Sequence, residues 1–368
     1  MTKKVDRIFL VVVIILIVFG FFIFSSASLG LLAKGGDKYS NVAFSQTFLG
    51  LFLGSLALIT TSKINYKLLR KYSFYIFLAS LVLTALVFVP HIGFEHGGAK
   101  RWLLILGFSF QPSELLKITT IIYLSAWVSG IKDKVGTIKY GLLPLVIVLG
   151  AVAGVLLKQP DTDVFVITAL AGFAIYFAGG GKWRHIIPIL IISLVGIGII
   201  ASVRPYVRER ITTFINPQAN GLTSGYQIQQ SLIAIGSGGL TGRGFGQSIQ
   251  KFNFLPEPIG DSIFAVAGEE FGFLGTLTIV FLFVVFAIRG LIIASRTDDM
   301  FGRLLIIGIV ILITAQAFLN MGAMLGIFPL TGNPLPFVSH GGTALFFTLA
   351  EVGIILNISR YQSFRKAE

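Results

Sequence analysis

No cysteine occurs in the 368 residues. That excludes a disulfide framework, a thiolate nucleophile and a Cys-ligated metal. Charge is scarce as well: 12% of the residues are charged, about half the share of a soluble domain. Acids are the scarcest, 16 against 29 Lys and Arg, for a net charge of +13. His91, His96 and His340 lack metal-ligand spacing, and each reads as a structural histidine. There is no Gly-Lys-Ser/Thr phosphate loop and no dinucleotide fingerprint, so nothing recognisable binds ATP or NAD. The substrate itself or a gradient must then drive any reaction. No fixed-period repeat is apparent, which gives no support to an inverted-repeat transporter.

What the chain has is apolar length: 55% of its residues are hydrophobic. A spanning helix takes about 20 mostly apolar residues. Ten segments qualify, at 8–32, 42–61, 72–90, 111–130, 140–157, 163–180, 185–203, 261–293, 303–326 and 341–358. The fold class expected is an all-α polytopic membrane protein, a single domain over 1–368, with a large outer loop at about 204–260 between the seventh and eighth helices. The apolar core of 8–24 is too long for a cleaved leader and no clean small-residue site follows it, so a retained first helix is expected.

Lys and Arg orient the bundle. With the N-terminus in the cytoplasm, that side takes Lys3, Lys4, Arg7, Lys63, Lys67, Arg70, Lys71, Lys132, Lys134, Lys139, Lys182, Arg184, Arg289, Arg296, Arg303, Arg360, Arg365 and Lys366, which is 18 of the 29. Basic residues concentrate in short cytoplasmic loops, so both termini are expected inside. The net positive charge is then a topology signal, and no nucleic-acid partner is implied. The outer loop is long enough to be functional. Its Ile228–Ile235 stretch, ahead of Gly236-Ser-Gly-Gly239, reads as an amphipathic, partly re-entrant helix.

The acids expected at or below the outer surface carry the chemistry. Asp261 sits at the mouth of an apolar run, where a carboxylate costs a few kcal/mol unless it is used or paired. It is either a helix N-cap, accepting backbone N–H groups, or a general base. Glu114 and Lys117 are three residues apart and share a helix face. They either neutralise one another or line a polar cavity. Asp161, in the turn Lys158-Gln-Pro-Asp161, is either a turn residue or part of that cavity. Arg204, Arg208, Arg210, Arg243 and Lys251 in the long loop suit lipid headgroups or a leaving diphosphate.

Several strings in order resemble one family. They are Lys100-Arg101-Trp102; Phe110-Gln111-Pro-Ser-Glu114 with Lys117; Lys158-Gln-Pro-Asp161; Ser224-Gly-Tyr-Gln-Ile-Gln-Gln-Ser231 running into Gly236-Ser-Gly-Gly239; Phe254-Leu-Pro-Glu-Pro258 into Asp261 with Gly268-Glu-Glu270; and Pro334-Leu-Pro-Phe-Val-Ser339 with Gly341-Gly342. The chain is similar over nearly its whole length to the SEDS proteins (shape, elongation, division and sporulation), the FtsW/RodA group. Two strings depart from the family: Ile259-Gly-Asp-Ser262 where His-Thr-Asp-Phe is usual, and His340 where Tyr is usual.

The resemblance implies a peptidoglycan glycosyltransferase that polymerises lipid II into glycan strands, releasing undecaprenyl diphosphate. It would work at the outer face of the bacterial cytoplasmic membrane, beside a class B penicillin-binding transpeptidase. Asp261 would be the catalytic acid. Glu114, Lys117, Asp161, Lys100, Arg101, Trp102, Gln111 and Ser339 would belong to the substrate cavity, and the five loop cations to the diphosphate, with a divalent cation such as Mg or Mn as an option. The Pro-Glu-Pro and Gly-Glu-Glu strings favour the division branch. Two rivals share the cavity: a lipid II flippase, which needs no base, and a scaffold that docks a transpeptidase with the cavity silent.

Overall fold

The computed structural model describes residues 5–32, 36–90, 92–96, 99–105, 108–203, 205–216 and 224–361. Apolar runs become helices because, in lipid, a helix satisfies its own backbone polar groups. They are α1 (Arg7–Leu32), α2 (Tyr39–Lys63), α3 (Lys67–Phe88), α4 (Pro112–Ile131), α5 (Ile138–Leu156), α6 (Thr162–Ala178), α7 (Ile186–Val203), α8 (Pro205–Ile215), α9 (Ser224–Ser237), α10 (Ile263–Ser295), α11 (Met300–Met324) and α12 (Gly342–Ser359). Eight of these are long and apolar enough to cross a membrane by length and composition, and α6 is a shorter apolar helix. With α7, the ten expected spans each fall on a helix. α8 and α9 belong to the long loop, where α9 is the expected amphipathic helix.

Two features depart from the expected plan. Between α3 and α4 the chain forms a small antiparallel sheet, β1 (Gly93–His96), β2 (Ala99–Ile105) and β3 (Phe108–Phe110), in that order. Leu103 faces Phe110 and Phe94 faces Trp102 across the pairs, the second an aromatic pair of the kind that strands favour. Second, α10 is not one straight helix. It breaks at Gly272, whose φ of 64° lies in the left-handed region. The loop after α9 fills the break: Phe273 N–H donates to Gly239 O (2.9 Å), Leu274 N–H to Leu240 O (3.1 Å), and Arg243 and Gly244 N–H to the Glu269 and Glu270 carbonyls (3.0 Å each). A Cβ on Gly272 would lie 2.3 Å from Gly242 N, so only glycine fits.

α4, α11 and α12 are the most enclosed helices, two thirds or more of each buried. One end of the bundle gathers both ends of the described chain: Asp6 accepts from Arg289 (2.7 and 3.1 Å), and its own N–H donates to Ser359 Oγ (3.1 Å). The other end gathers the far end of α1, where Ser26 donates to Glu270 (2.6 Å), and the loops that carry Asp161 and Asp261.

Candidate functional site

Asp261 lies in the turn just ahead of α10. The helix begins at Ile263, Ser262 occupies the N-cap position, and no side chain caps it. Among the described residues the Asp261 carboxylate accepts no hydrogen bond, so the capping alternative is not the arrangement adopted. The side chain is half-buried and lines a cleft of about 160 Å³ with Glu209, Arg210, Gln227, Leu330, Thr331 and Gly332. Burial pushes its pKa up to about 7; Glu257 and Asp163 add to the shift, and Arg210 and Arg101 oppose it. A carboxylate poised near neutrality, with free oxygens facing a cleft, can accept a proton from a bound hydroxyl.

Two guanidiniums converge beside it. Arg210, on α8, pairs with Asp163 (2.5 Å), whose carboxylate also accepts from Gly332 N–H (2.8 Å). Arg101, on β2, donates to the Gln159 and Pro160 carbonyls (3.2 and 2.5 Å) and faces Asp161 at 3.7 Å. A side-chain carbon built on Gly332 would sit 3.5 Å from an Arg210 nitrogen, 3.7 Å from Asp163 Oδ2 and 3.9 Å from an Arg101 nitrogen. Glycine at 332 therefore leaves open the point where both cations meet. Forked guanidiniums bind phosphate oxygens bidentately.

Asp161 accepts from Ser113 Oγ (3.2 Å) and Gln111 Nε2 (3.5 Å). Its burial raises its pKa, and Arg101 opposes this. Deeper in the bundle, Glu114 and Lys117 form the pair that their spacing suggested, at 3.0 Å and both buried. Lys117 Nζ also donates to Gln316 Oε1 (2.9 Å). Glu351 on α12 is buried and interacts with both members of the pair.

Not every expected residue comes to the cleft. Lys251 is fully buried, with its ammonium bound to Glu270 (2.7 Å), Ser26 Oγ (2.9 Å) and Gly246 O (2.8 Å). It locks the outer loop to α1 and α10 and has no donor left for a diphosphate. Arg243 faces Glu269 (3.5 Å) away from the cleft. Arg208 is exposed on α8 and Lys100 on β2, neither lining the cleft; Trp102 is half-buried on β2. Ser339 spends its hydroxyl on Gly260 O (2.7 Å) while accepting from Leu335 N–H (2.8 Å), so it braces the loop and offers substrate nothing. Arg204 lies outside the described residues.

For a divalent cation the protein donors do not fit. Among the described residues no three His, Asp or Glu side chains form a cage. Asp161 and Asp163 each already face an arginine.

Sequence reasoning passed over Glu351, Gln316, Asn320 and Gln227. For Glu351 the signal was available: an acid within a spanning run is a functional candidate by default. Gln316 and Asn320 share a helix face at i, i+4 in an apolar run, a weaker cue of the same kind.

Comparison with known proteins places these features in context. Residues 6–364 match the Cell cycle protein family profile that groups FtsW, RodA and SpoVE. The chain is 36% identical over 359 residues to the probable peptidoglycan glycosyltransferase FtsW of Geobacter metallireducens, covering 97% of this chain and 95% of that one. It is 33% identical to stage V sporulation protein E of Bacillus subtilis, covering 99% and 100%. Among solved structures, one reported under the structural coordination of polymerization and crosslinking by a peptidoglycan synthase complex superposes with a TM-score of 0.76 at 27% identity, over 95% of this chain and 98% of that one. The rod shape determining protein RodA of Thermus thermophilus superposes with a TM-score of 0.70, also at 27% identity, covering 98% of each chain.

Proposed function

The chain belongs to the FtsW, RodA and SpoVE family of cell cycle proteins, and from that membership and the geometry of the cleft we propose that it is a membrane-embedded peptidoglycan glycosyltransferase. One observation carries the assignment of the base: a carboxylate poised near neutrality, accepting no hydrogen bond among the described residues, beside two converging guanidiniums. The substrate is lipid II, a disaccharide-pentapeptide on undecaprenyl diphosphate. Asp261 takes the proton of the acceptor sugar hydroxyl, which is far too weak an acid to ionise unaided. The oxygen attacks the donor's anomeric carbon with inversion, and the bond to the diphosphate breaks with its electron pair. Arg101 and Arg210 stabilise the charge that develops there.

Lipid II is consumed at the outer face, so the cleft faces outward and both termini are cytoplasmic. The short basic loops support that orientation, and so does the position of the described termini at the end opposite Asp261. The similarity to a peptidoglycan synthase complex supports a transpeptidase partner, and the FtsW relatives favour a division role. The test is purified full-length chain incubated with lipid II in detergent and analysed for glycan strands. Strands from the parent and a rate lower by roughly 10² or more from Asp261→Asn support the reading. Lipid II translocation without strands would point to a flippase.

A further inference from the structure

We propose that Asn320 is the positioning residue for Asp261, an inference that rests on reading Asp261 as the base. A carboxylate without hydrogen bonds of its own is aimed only by its backbone, so whatever fixes that backbone fixes the base. The turn Ile259–Ser262 is neither helix nor strand, and its acceptors are held from the segment just ahead of α12 and from α9. His340 N–H donates to Ile259 O (2.7 Å), Ser339 Oγ to Gly260 O (2.7 Å) and Gln227 Nε2 to Ser262 Oγ (3.0 Å).

Among the described residues, Asn320 alone bonds Asp261 itself. Its Nδ2 donates to Asp261 O (2.8 Å) and, with its second hydrogen, to Asn333 O (2.9 Å). Both partners are carbonyls, so the amide orientation is fixed by its bonding. The side chain is fully buried on α11, a rigid support. Asn333 follows Gly332, the residue at which the Arg101 and Arg210 guanidiniums meet. One NH₂ group therefore ties the turn that carries the base to the segment that carries the cationic junction. In a displacement with inversion, nucleophile and leaving group must sit at a set separation, and a misplacement of about 1 Å can cost about 10²-fold.

The consequence is a kcat effect. Asn320→Ala should lower kcat about 10- to 100-fold with KM little changed. Asn320→Asp keeps the volume but sets an oxygen against two carbonyl oxygens at a fully buried position, and should do as much harm. Asn320→Ser serves if the alanine variant misfolds.

The experiment measures polymerisation of fluorescent lipid II by the full-length chain for the parent, Asn320→Ala, Asp261→Asn and the double variant. Alongside, hydrogen–deuterium exchange is read on the peptide 257–263. Expected are a fall in kcat for Asn320→Ala, no further fall when it is added to Asp261→Asn, and faster exchange in 257–263 with the α1 and α12 peptides unchanged. An equal fall in the Asp261→Asn background would show that Asn320 acts independently of the base. Unchanged exchange in 257–263 would overturn the proposal whatever the activities. Should Asp261→Asn itself polymerise at the parent rate, the base assignment fails; the exchange result still decides whether Asn320 holds the turn.

Discussion

Asp261 is held where its charged form is disfavoured, and both rate and stability should record it. As a base it must be deprotonated, so kcat/KM should rise with pH through about 7 and level off above it. Asp261→Asn should remove that limb along with a factor of roughly 10² or more in rate. The stability effect has the opposite sign. The folded-state pKa is raised above the unfolded value, so the unfolded state releases its proton first as pH rises. The parent therefore loses stability relative to Asp261→Asn between about pH 4 and pH 7, and the gap stays constant above. Melting curves of both proteins in detergent at pH 5 and pH 8 check this. A variant that melts lower than the parent at pH 8 would mean that the carboxylate makes a stabilising contact. Lys117 poses the converse case. Its ammonium pairs with Glu114, interacts with the buried Glu351 and also binds Gln316. Lys117→Ala strands both carboxylates and should cost about 3–5 kcal/mol. Replacing Glu114 and Lys117 together by Gln and Met should cost less, and differential scanning fluorimetry of the two variants would show the order.

At the scale of elements, the sequence was readable wherever one physical rule decided the outcome. Apolar runs of spanning length favour helices, so all ten fall on helices, eight of them long and apolar enough to cross a membrane. The three-residue spacing of Glu114 and Lys117 put them on one face, and the pair forms. The rest was hidden because tertiary partners decided it. The sheet at 93–110 depends on strand pairing over a span too short and too mixed for periodicity to reveal. The run 261–293 is mostly apolar, and although Glu269 and Glu270 interrupt it just ahead of Gly272, no local rule demands a break there, since glycine is common in such runs. The break exists because the loop at 238–244 supplies replacement backbone partners. Lys251 reads as a loop cation, and only the fold reveals that Glu270 and Ser26 enclose it. If the loop and the break are one unit, Gly272→Ala should be costly. The new Cβ meets backbone at 2.3 and 2.6 Å, in a left-handed conformation, for a loss of about 1–3 kcal/mol from the strained φ alone. Gly150→Ala, where a Cβ meets nothing within 4 Å, should be neutral or slightly stabilising. Equal melting temperatures for the two variants would refute a structural role for the break.

Across the whole molecule, function depends on which end of the bundle faces out. The two ends are chemically distinct. One carries the Asp6–Arg289 pair, Ser359 and the short basic loops around Lys67 and Lys134. The other carries the cleft, lined by the acids Glu209 and Asp261, with Asp161, Asp163 and Glu257 close by, set against Arg101 and Arg210. A donor attached to a long lipid must reach the cleft from the outer leaflet, so an inverted bundle would expose the base to the wrong compartment. The lack of cysteine makes this directly measurable, because single cysteines can be introduced without background. Lys158 and Arg208, at the cleft end, are exposed, as are Lys134 and Arg296 at the other end; Thr297, although in the same loop as Arg296, is buried and unsuitable. Lys158→Cys and Arg208→Cys should react with a membrane-impermeant maleimide in intact cells, whereas Lys134→Cys and Arg296→Cys should react only after permeabilisation. The reverse pattern would place Asp261 in the cytoplasm, where no strand could be extended on the outer face, and the glycosyltransferase mechanism set out for this cleft would have to be given up.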